Sequence, residues 1–299
     1  MTQTRRRFLC ISAAALALPS AAATQDSAKD SAHWTGFALG ARASMTLAGI
    51  NPIHARPVFA RLEAEIARLE RIFSLYRDDS ALVRLNHTGR LQAPPPELLE
   101  VLTLSDALNH ASCGAFDPSV QPLWQALATG GDTRAARTVI GWDGVRFDAG
   151  EVQLTRPGMA LTFNGIAQGY ITDRIAALLR AQGLHDVLVD IGEVAALGHK
   201  ADGAPWRAGI ATPEGRIVHR LALSDRALAT SARLGTELAP DQGHILDPQG
   251  HGPQHDIVSV SASRAALADG LSTALCLLDA DEVPRLMGGF SGAAIEFIS

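Results

Sequence analysis

Asp269 and Thr273 stand four residues apart in LADGLSTALCL (267–277), a stretch otherwise small and apolar. Helical residues at i and i+4 share a face, one turn apart. A helix here therefore presents a carboxylate and a hydroxyl together, either as an internal hydrogen-bonded pair or as two hard oxygen ligands aimed at one small cation. A second candidate is GHILDPQGHGP (243–253), which gathers His244, Asp247 and His251 in a loop. A loop histidine is ordinarily just solvated. His244, however, precedes the apolar pair Ile245-Leu246, which would hold its ring, and a held imidazole can serve as a general base. In TFNGIAQGYITD (162–173), Asn164-Gly165 and Gly169 surround a helix start, where free backbone N–H groups attract phosphate. Its spacing matches neither common nucleotide loop. In CGAFDPSVQPLW (113–124), Asp117-Pro118 reads as an N-cap followed by the first helical position. Gly114-Ala115 leaves room there for a ligand to approach the backbone, with the apolar face of Phe116 beside it.

These residues need elements to hold them. PVFARLEAEIARLERIF (57–73) predicts a helix with Pro57 in its first turn and a buried stripe of Leu62, Ile66, Leu69 and Phe73. Further helices are expected over 95–111, over 166–183 with Gly183 as C-cap, and over 264–279. DVLVDIG (186–192) reads as a short buried strand, and WRAGIAT, IVHRLAL, ALATSA, DIVSVSAS and AAIEFI as later strands. Helices and strands mix without strict alternation. That predicts an α+β (mixed α/β) domain with at least one largely antiparallel sheet.

The chain has 299 residues, 47% hydrophobic and 19% charged, with a formal net charge of −5. Such a composition is globular and carries no basic footprint for nucleic acid. Residues 1–23 read as an export signal: three arginines, an apolar run from Phe8 to Leu18 too short to span a bilayer, and Ala21 and Ala23 at the −3 and −1 positions of a cleavage site. Arg5-Arg6-Arg7 directly before Phe8-Leu9 favours the twin-arginine route over the general secretory one. Removing these three arginines takes the charge from −5 to −8. Residues 24–33 are expected to form a loose linker, leaving residues 34–299 as a single domain without a membrane span. Cys113 and Cys276 could form one disulfide in an oxidising compartment, but each lies among small or apolar neighbours, which favours two unpaired, buried thiols.

Five blocks in order resemble the ApbE family, the FAD:protein FMN transferases. They are EIARLERIFSLYRDDSALVRLN (65–86), GAFDPSVQPLW, NGIAQGYITD, HILDPQGHGP and ADGLSTAL, and the likeness runs from about Phe37 to the C-terminus. The sequence departs from the family pattern at Gln168, where a lysine is usual, and at DIGEV (190–194), where NLGGD is usual. The resemblance implies one ApbE-like domain of mixed, partly antiparallel sheets with packed helices. It also implies Mg²⁺ held by Asp269, the Thr273 hydroxyl and the Ala167 carbonyl, chemically apt because Mg²⁺ prefers oxygen donors and keeps positions for water or phosphate.

The reaction implied is transfer of FMN from FAD to a Ser or Thr hydroxyl of an acceptor flavoprotein, with AMP leaving and His244 as base. Phe116 and Tyr76 would pack along the flavin, and Leu39, Ala115, Asp117, Asn164, Tyr170 and Asp247 would line the remainder of the FAD site. Two alternatives stay open: a periplasmic FAD pyrophosphatase and a non-catalytic flavin-binding protein. The export signal implies a periplasmic location, and the family resemblance implies an acceptor in a respiratory membrane complex. Twin-arginine export and the LVDIGEVAALG variant together resemble the subgroup that matures the flavoprotein partner of nitrous-oxide reductase.

Overall fold

Short runs of Ala, Val and Ile with few large side chains form the strands at the centre of the molecule. The structure is a computed structural model that describes residues 15–17 and 31–299. Seven strands form its main sheet: β1 (Ser31–Ala38), β2 (Ala41–Ala48), β3 (Val187–Asp190), β4 (Val194–Leu197), β5 (Arg226–Ala232), β6 (Ile257–Ala262) and β7 (Ala294–Ile298). Their spatial order follows chain order. Every neighbouring pair is antiparallel, in registers such as Ser44 opposite Asp190 and Thr230 opposite Ser259.

Both faces of the middle strands are covered, which is why DVLVDIG is a continuous apolar run rather than an alternating one. Val187, Val189, Ala195, Leu197, Ala227 and Ala229 belong to the main core. Their neighbours Leu188, Val194, Ala196 and Leu228 belong to a second core closed by a hairpin of Trp206–Ala211 and Ile217–Leu223. Ala15–Ala17 pairs with the other edge of that hairpin.

Between β2 and β3 lie α1 (Pro52–Phe73), α2 (Ala81–Thr88), α3 (Pro96–Ala111), α4 (Gln121–Thr129) and α5 (Ala167–Ala181); all but α4 bury residues in the main core, as does α6 (Ala265–Leu275) between β6 and β7. The expected stripe of α1 is buried, with Leu62 and Leu69 at 0% exposure. The helix begins earlier than expected. Asn51 caps it by accepting from the Ile53 N–H at 3.0 Å, and Pro52 takes the first-turn position assigned to Pro57. Pro57 thus lies inside the helix, where it removes one i→i−4 bond; burial of Ala55 and Val58 beside it offsets that loss. α5 ends in a Schellman turn at Gly183 (φ 78°), with the Leu184 N–H donating to Leu179 O at 3.0 Å.

Three boundaries or burials differ from expectation. The strand β1 starts at Ser31, so the last residues of the supposed linker 24–33 join the sheet, and Ala32 is 1% exposed opposite Leu47. The helix expected over 264–279 ends at Leu275. Both cysteines are free, but only Cys276 is buried. Cys113 is exposed because the chain leaves α3 there through a left-handed turn (φ 54°), and Arg285 Nη1 lies 2.6 Å from its thiol. The expected export signal, apart from Ala15–Ala17, and linker residues 24–30 lie outside the described residues. Among the described residues, no helix is long and apolar enough to cross a membrane.

Candidate active site

The start of α5 lies against the start of α6, and glycine makes the close approach possible. A Cβ on Gly169 would press on the Ala265 carbonyl and sit 2.7 Å from Ala266 Cα. Neither helix start has a side-chain cap from its own flanking residue. Each is capped by a carboxylate of the other helix. Asp173 accepts from the Ala265 and Ala266 N–H groups at 2.6 and 3.0 Å, and Asp269 Oδ2 accepts from the Gly169 N–H at 3.1 Å. Such exchange satisfies orphan donors that would otherwise be buried unpaired.

Asp269 and Thr273 therefore do share one face of a helix, but the carboxylate and hydroxyl take different partners. Asp269 is held by the Gly169 N–H, while Thr273 Oγ1 lies 3.2 Å from Ser231 Oγ at the end of β5. Gly165 permits this packing, since a Cβ there would fall 2.7 Å from Thr273 Oγ1. Both side chains open into a pocket with two kinds of wall. The apolar wall includes Phe116, Pro118, Trp124 and Leu277; the polar wall includes Asn164, Gln168, Glu193, Ser231, His244, Asp269 and Thr273.

Burial sets the electrostatics. Desolvation pushes the Asp269 carboxyl up to about 7, against the pull of the Gly169 N–H. Glu193, at 6% exposure, is also held well above the usual carboxylate range, first by burial and then by the charge of Asp269. Asp117 shifts the same way through burial, although its two oxygens accept from the Ser119 and Trp142 N–H groups at 2.8 and 3.2 Å. This is the cap expected from Asp117-Pro118. His244 is pushed down to about 4 by burial. Its Nδ1 lies 3.3 Å from the Thr236 carbonyl oxygen, which can only accept, so Nδ1 carries the proton and Nε2 keeps its lone pair. The ring is thus held, neutral and basic at Nε2 across the neutral range.

Of the residues singled out in the sequence, His244, Ala115, Phe116, Asp117, Asn164, Asp269 and Thr273 line this one pocket. Ala167 is the first residue of α5, two positions before the N–H that Asp269 accepts. The others lie elsewhere. Tyr170 is buried, its ring 5.5 Å from Phe73 and its hydroxyl donating to Glu100 at 2.7 Å. Tyr76 is 63% exposed. Leu39 turns the β1–β2 hairpin at φ 48°, with its N–H on Glu70 at 2.9 Å. Asp247 braces its own loop, accepting from the Gln249 and His251 N–H groups at 2.7 and 2.8 Å, and faces an adjoining cleft. Glu193, Ser231, Gln168 and Trp124 complete the pocket without having been assigned to it. All four stood inside quoted segments, but which way a strand end or a turn points is not legible without its register.

The donors fit a small hard cation. Asp269 is 3% exposed and, among the described residues, no lysine or arginine lines the pocket with it. Asp269 Oδ1 has no hydrogen-bond partner among them either. No group of three His, Cys, Asp or Glu side chains stands ready among the described residues. A cation here would need hydroxyl, carbonyl or phosphate oxygens to complete its shell, which is the habit of Mg²⁺.

The chain is similar to known proteins over most of its length. The FAD:protein FMN transferase of Treponema pallidum is 32% identical over 85% of this chain and 82% of its own length. That of Salmonella typhimurium is 27% identical over 96% of this chain and 91% of its own. The apo form of the Pseudomonas stutzeri flavinyl transferase ApbE superposes with a TM-score of 0.73 at 28% identity, covering 85% of this chain and 86% of that one. A variant of the Vibrio cholerae flavin transferase ApbE shares the fold, with a TM-score of 0.76 at 22% identity over 90% and 97% of the two chains. The model of the ApbE family matches residues 39–295, nearly the whole described fold with its pocket, and the chain belongs to the ApbE family.

Proposed function

We propose that this protein is an FAD:protein FMN transferase that moves FMN from FAD onto a Ser or Thr hydroxyl of an acceptor flavoprotein and releases AMP. One observation carries the reading. Asp269, buried, with Thr273, half-buried, and a neutral histidine whose Nε2 keeps its lone pair line one pocket together with apolar side chains suited to a flavin ring.

The chain's residues divide the work. Phe116 and Trp124 supply flat apolar surface for the isoalloxazine. Asp269, Thr273 and the Ala167 carbonyl would hold Mg²⁺, which when bound screens the pyrophosphate and stabilises charge on the departing phosphate oxygen. His244 Nε2 takes the proton of the acceptor hydroxyl as its oxygen bonds to the FMN-side phosphorus. The bridging P–O bond breaks, and its electron pair leaves with AMP. Nδ1–H, held by Thr236 O, keeps the imidazole in the tautomer that can accept.

The test is to incubate the protein with FAD, Mg²⁺ and an acceptor domain, then view the denaturing gel under ultraviolet light. Fluorescence fixed to the acceptor supports the transferase. AMP without labelling means a pyrophosphatase, and intact FAD means a flavin-binding protein. The arginine-rich start supports a periplasmic site of action reached by the twin-arginine route, with an acceptor in a respiratory membrane complex; the DIGEV variant supports one that serves nitrous-oxide reduction. Replacing Arg5-Arg6 with two lysines should then retain the precursor in the cytoplasm, and normal export of that variant would point to the general secretory route.

A further inference from the structure

We propose that Glu193 is a further ligand of the cation held by Asp269 and Thr273, reaching it directly or through one of its waters. The inference rests on the reading above that this pocket holds a divalent cation.

Glu193 sits in the turn between β3 and β4, where Gly192 (φ 86°) reverses the chain and the Ile191 N–H donates to the Glu193 carbonyl at 3.1 Å. The turn is pinned from α5 as well, because Thr172 Oγ1 donates to the same carbonyl at 3.3 Å. The backbone is thereby held, and the residue lines the pocket at 6% exposure. Its Oε2 accepts one long bond, from the Thr230 N–H at 3.3 Å, while Oε1 has no hydrogen-bond partner among the described residues. The contrast with Asp117 is direct: that carboxylate also lines the pocket, but both its oxygens are taken by backbone N–H groups.

Charge balance gives the free oxygen its meaning. The pocket is lined by Asp117, Glu193 and Asp269 and, among the described residues, by no lysine or arginine; Gln168, packed under Gly192, is neutral. Glu193 and Asp269 are close enough that the charge of one raises the proton affinity of the other. Two buried carboxylates without a counter-charge are costly, and a pyrophosphate arriving beside them adds to the repulsion. A divalent cation shared between Glu193 and Asp269 removes both problems. It also gives the cation site a second carboxylate, which hard cations favour.

The experiment is calorimetric titration of the apoprotein with Mg²⁺ and, separately, Mn²⁺, without FAD or acceptor, for the unaltered protein, Glu193→Gln and Glu193→Asp. Glu193→Gln keeps the shape and an acceptor for the Thr230 N–H. Affinity for both metals should fall about tenfold in Glu193→Gln, about 1.4 kcal/mol. It should fall less in Glu193→Asp, which keeps the charge and withdraws it by one methylene. Melting curves without metal check that each variant is folded; if Glu193→Gln is not, the Glu193→Asp titration decides. Unchanged affinity in a folded Glu193→Gln, or in Glu193→Asp where that alone folds, overturns the inference, as does the absence of saturable binding by the unaltered protein. Because no flavin is present, a failure of FMN transfer would defeat the functional reading without altering this result.

Discussion

Asp173 and Asp269 occupy equivalent stations at one helix crossing and end with opposite roles. Each is a carboxylate that caps the start of the other's helix, Asp269 buried and Asp173 half-buried, and desolvation raises the proton affinity of both. Asp173 spends both oxygens on the Ala265 and Ala266 N–H groups and has Arg264 Nε at 3.8 Å. Asp269 spends one oxygen on Gly169 and has no ion pair among the described residues. It lines the pocket together with Thr273 and His244. A helix cap becomes a ligand site when the carboxylate keeps an unused oxygen and lacks a protein counter-charge.

The comparison is broken most severely on the Asp269 side, at the base. His244→Ala should bind FAD normally and transfer FMN roughly 10²–10⁴ times more slowly, the range for a positioned acid–base group. His244→Gln should be nearly as slow, since it can hydrogen-bond but not accept the proton; a fast His244→Gln enzyme would end the base assignment. Asp269→Asn comes next. Transfer should fall at least tenfold, about 1.4 kcal/mol of transition-state free energy, and recover in part at high Mg²⁺. Full activity of that variant at limiting Mg²⁺ would erase the distinction between the two aspartates. Asp173→Asn should do the reverse: lose about 1 kcal/mol of stability, as a weakened cap does, and keep its metal affinity. A fall in Mg²⁺ affinity with stability intact would contradict the structural role.

The smallest effect expected is on pH dependence. Burial lowers His244 from 6.5 to about 4, so the unfolded chain takes up a proton where the folded one does not. Stability from this group is full above pH 6.5 and is lost as pH falls toward 4. Between pH 6.5 and 5.5 the loss stays below about 1.4 kcal/mol, one pH unit's worth. Thermal melts at the two pH values should show this difference shrinking in His244→Gln; the same slope in both proteins would place the ring in solvent.

Much of this was readable from residue order. The i, i+4 spacing of Asp269 and Thr273, the Asp117-Pro118 cap and the apolar stripe of α1 are local patterns, and local geometry honours them. Pro57 misled because a proline inside the second turn looks the same in sequence as one opening a helix; the decisive cap, Asn51, lay six residues upstream. The strands β1 and β2 were missed because their exposed positions carry Ser, His, Thr and Arg, which read as polar loop until Ala32, Met45 and Leu47 are seen buried in the core. Tyr170 and Glu193 show the deeper limit. Each lies in a recognisable segment, but whether it faces core or pocket depends on the α5–α6 crossing and on the β3–β4 turn, which no single segment encodes.

The most direct test is the mass of an acceptor domain after incubation with the unaltered protein and FAD, once with Mg²⁺ and once with excess chelator. One FMN should be added per acceptor hydroxyl with Mg²⁺, AMP should be released in equal amount, and neither product should form with chelator. Labelling that proceeds equally under chelation would contradict the cation site built around Asp269.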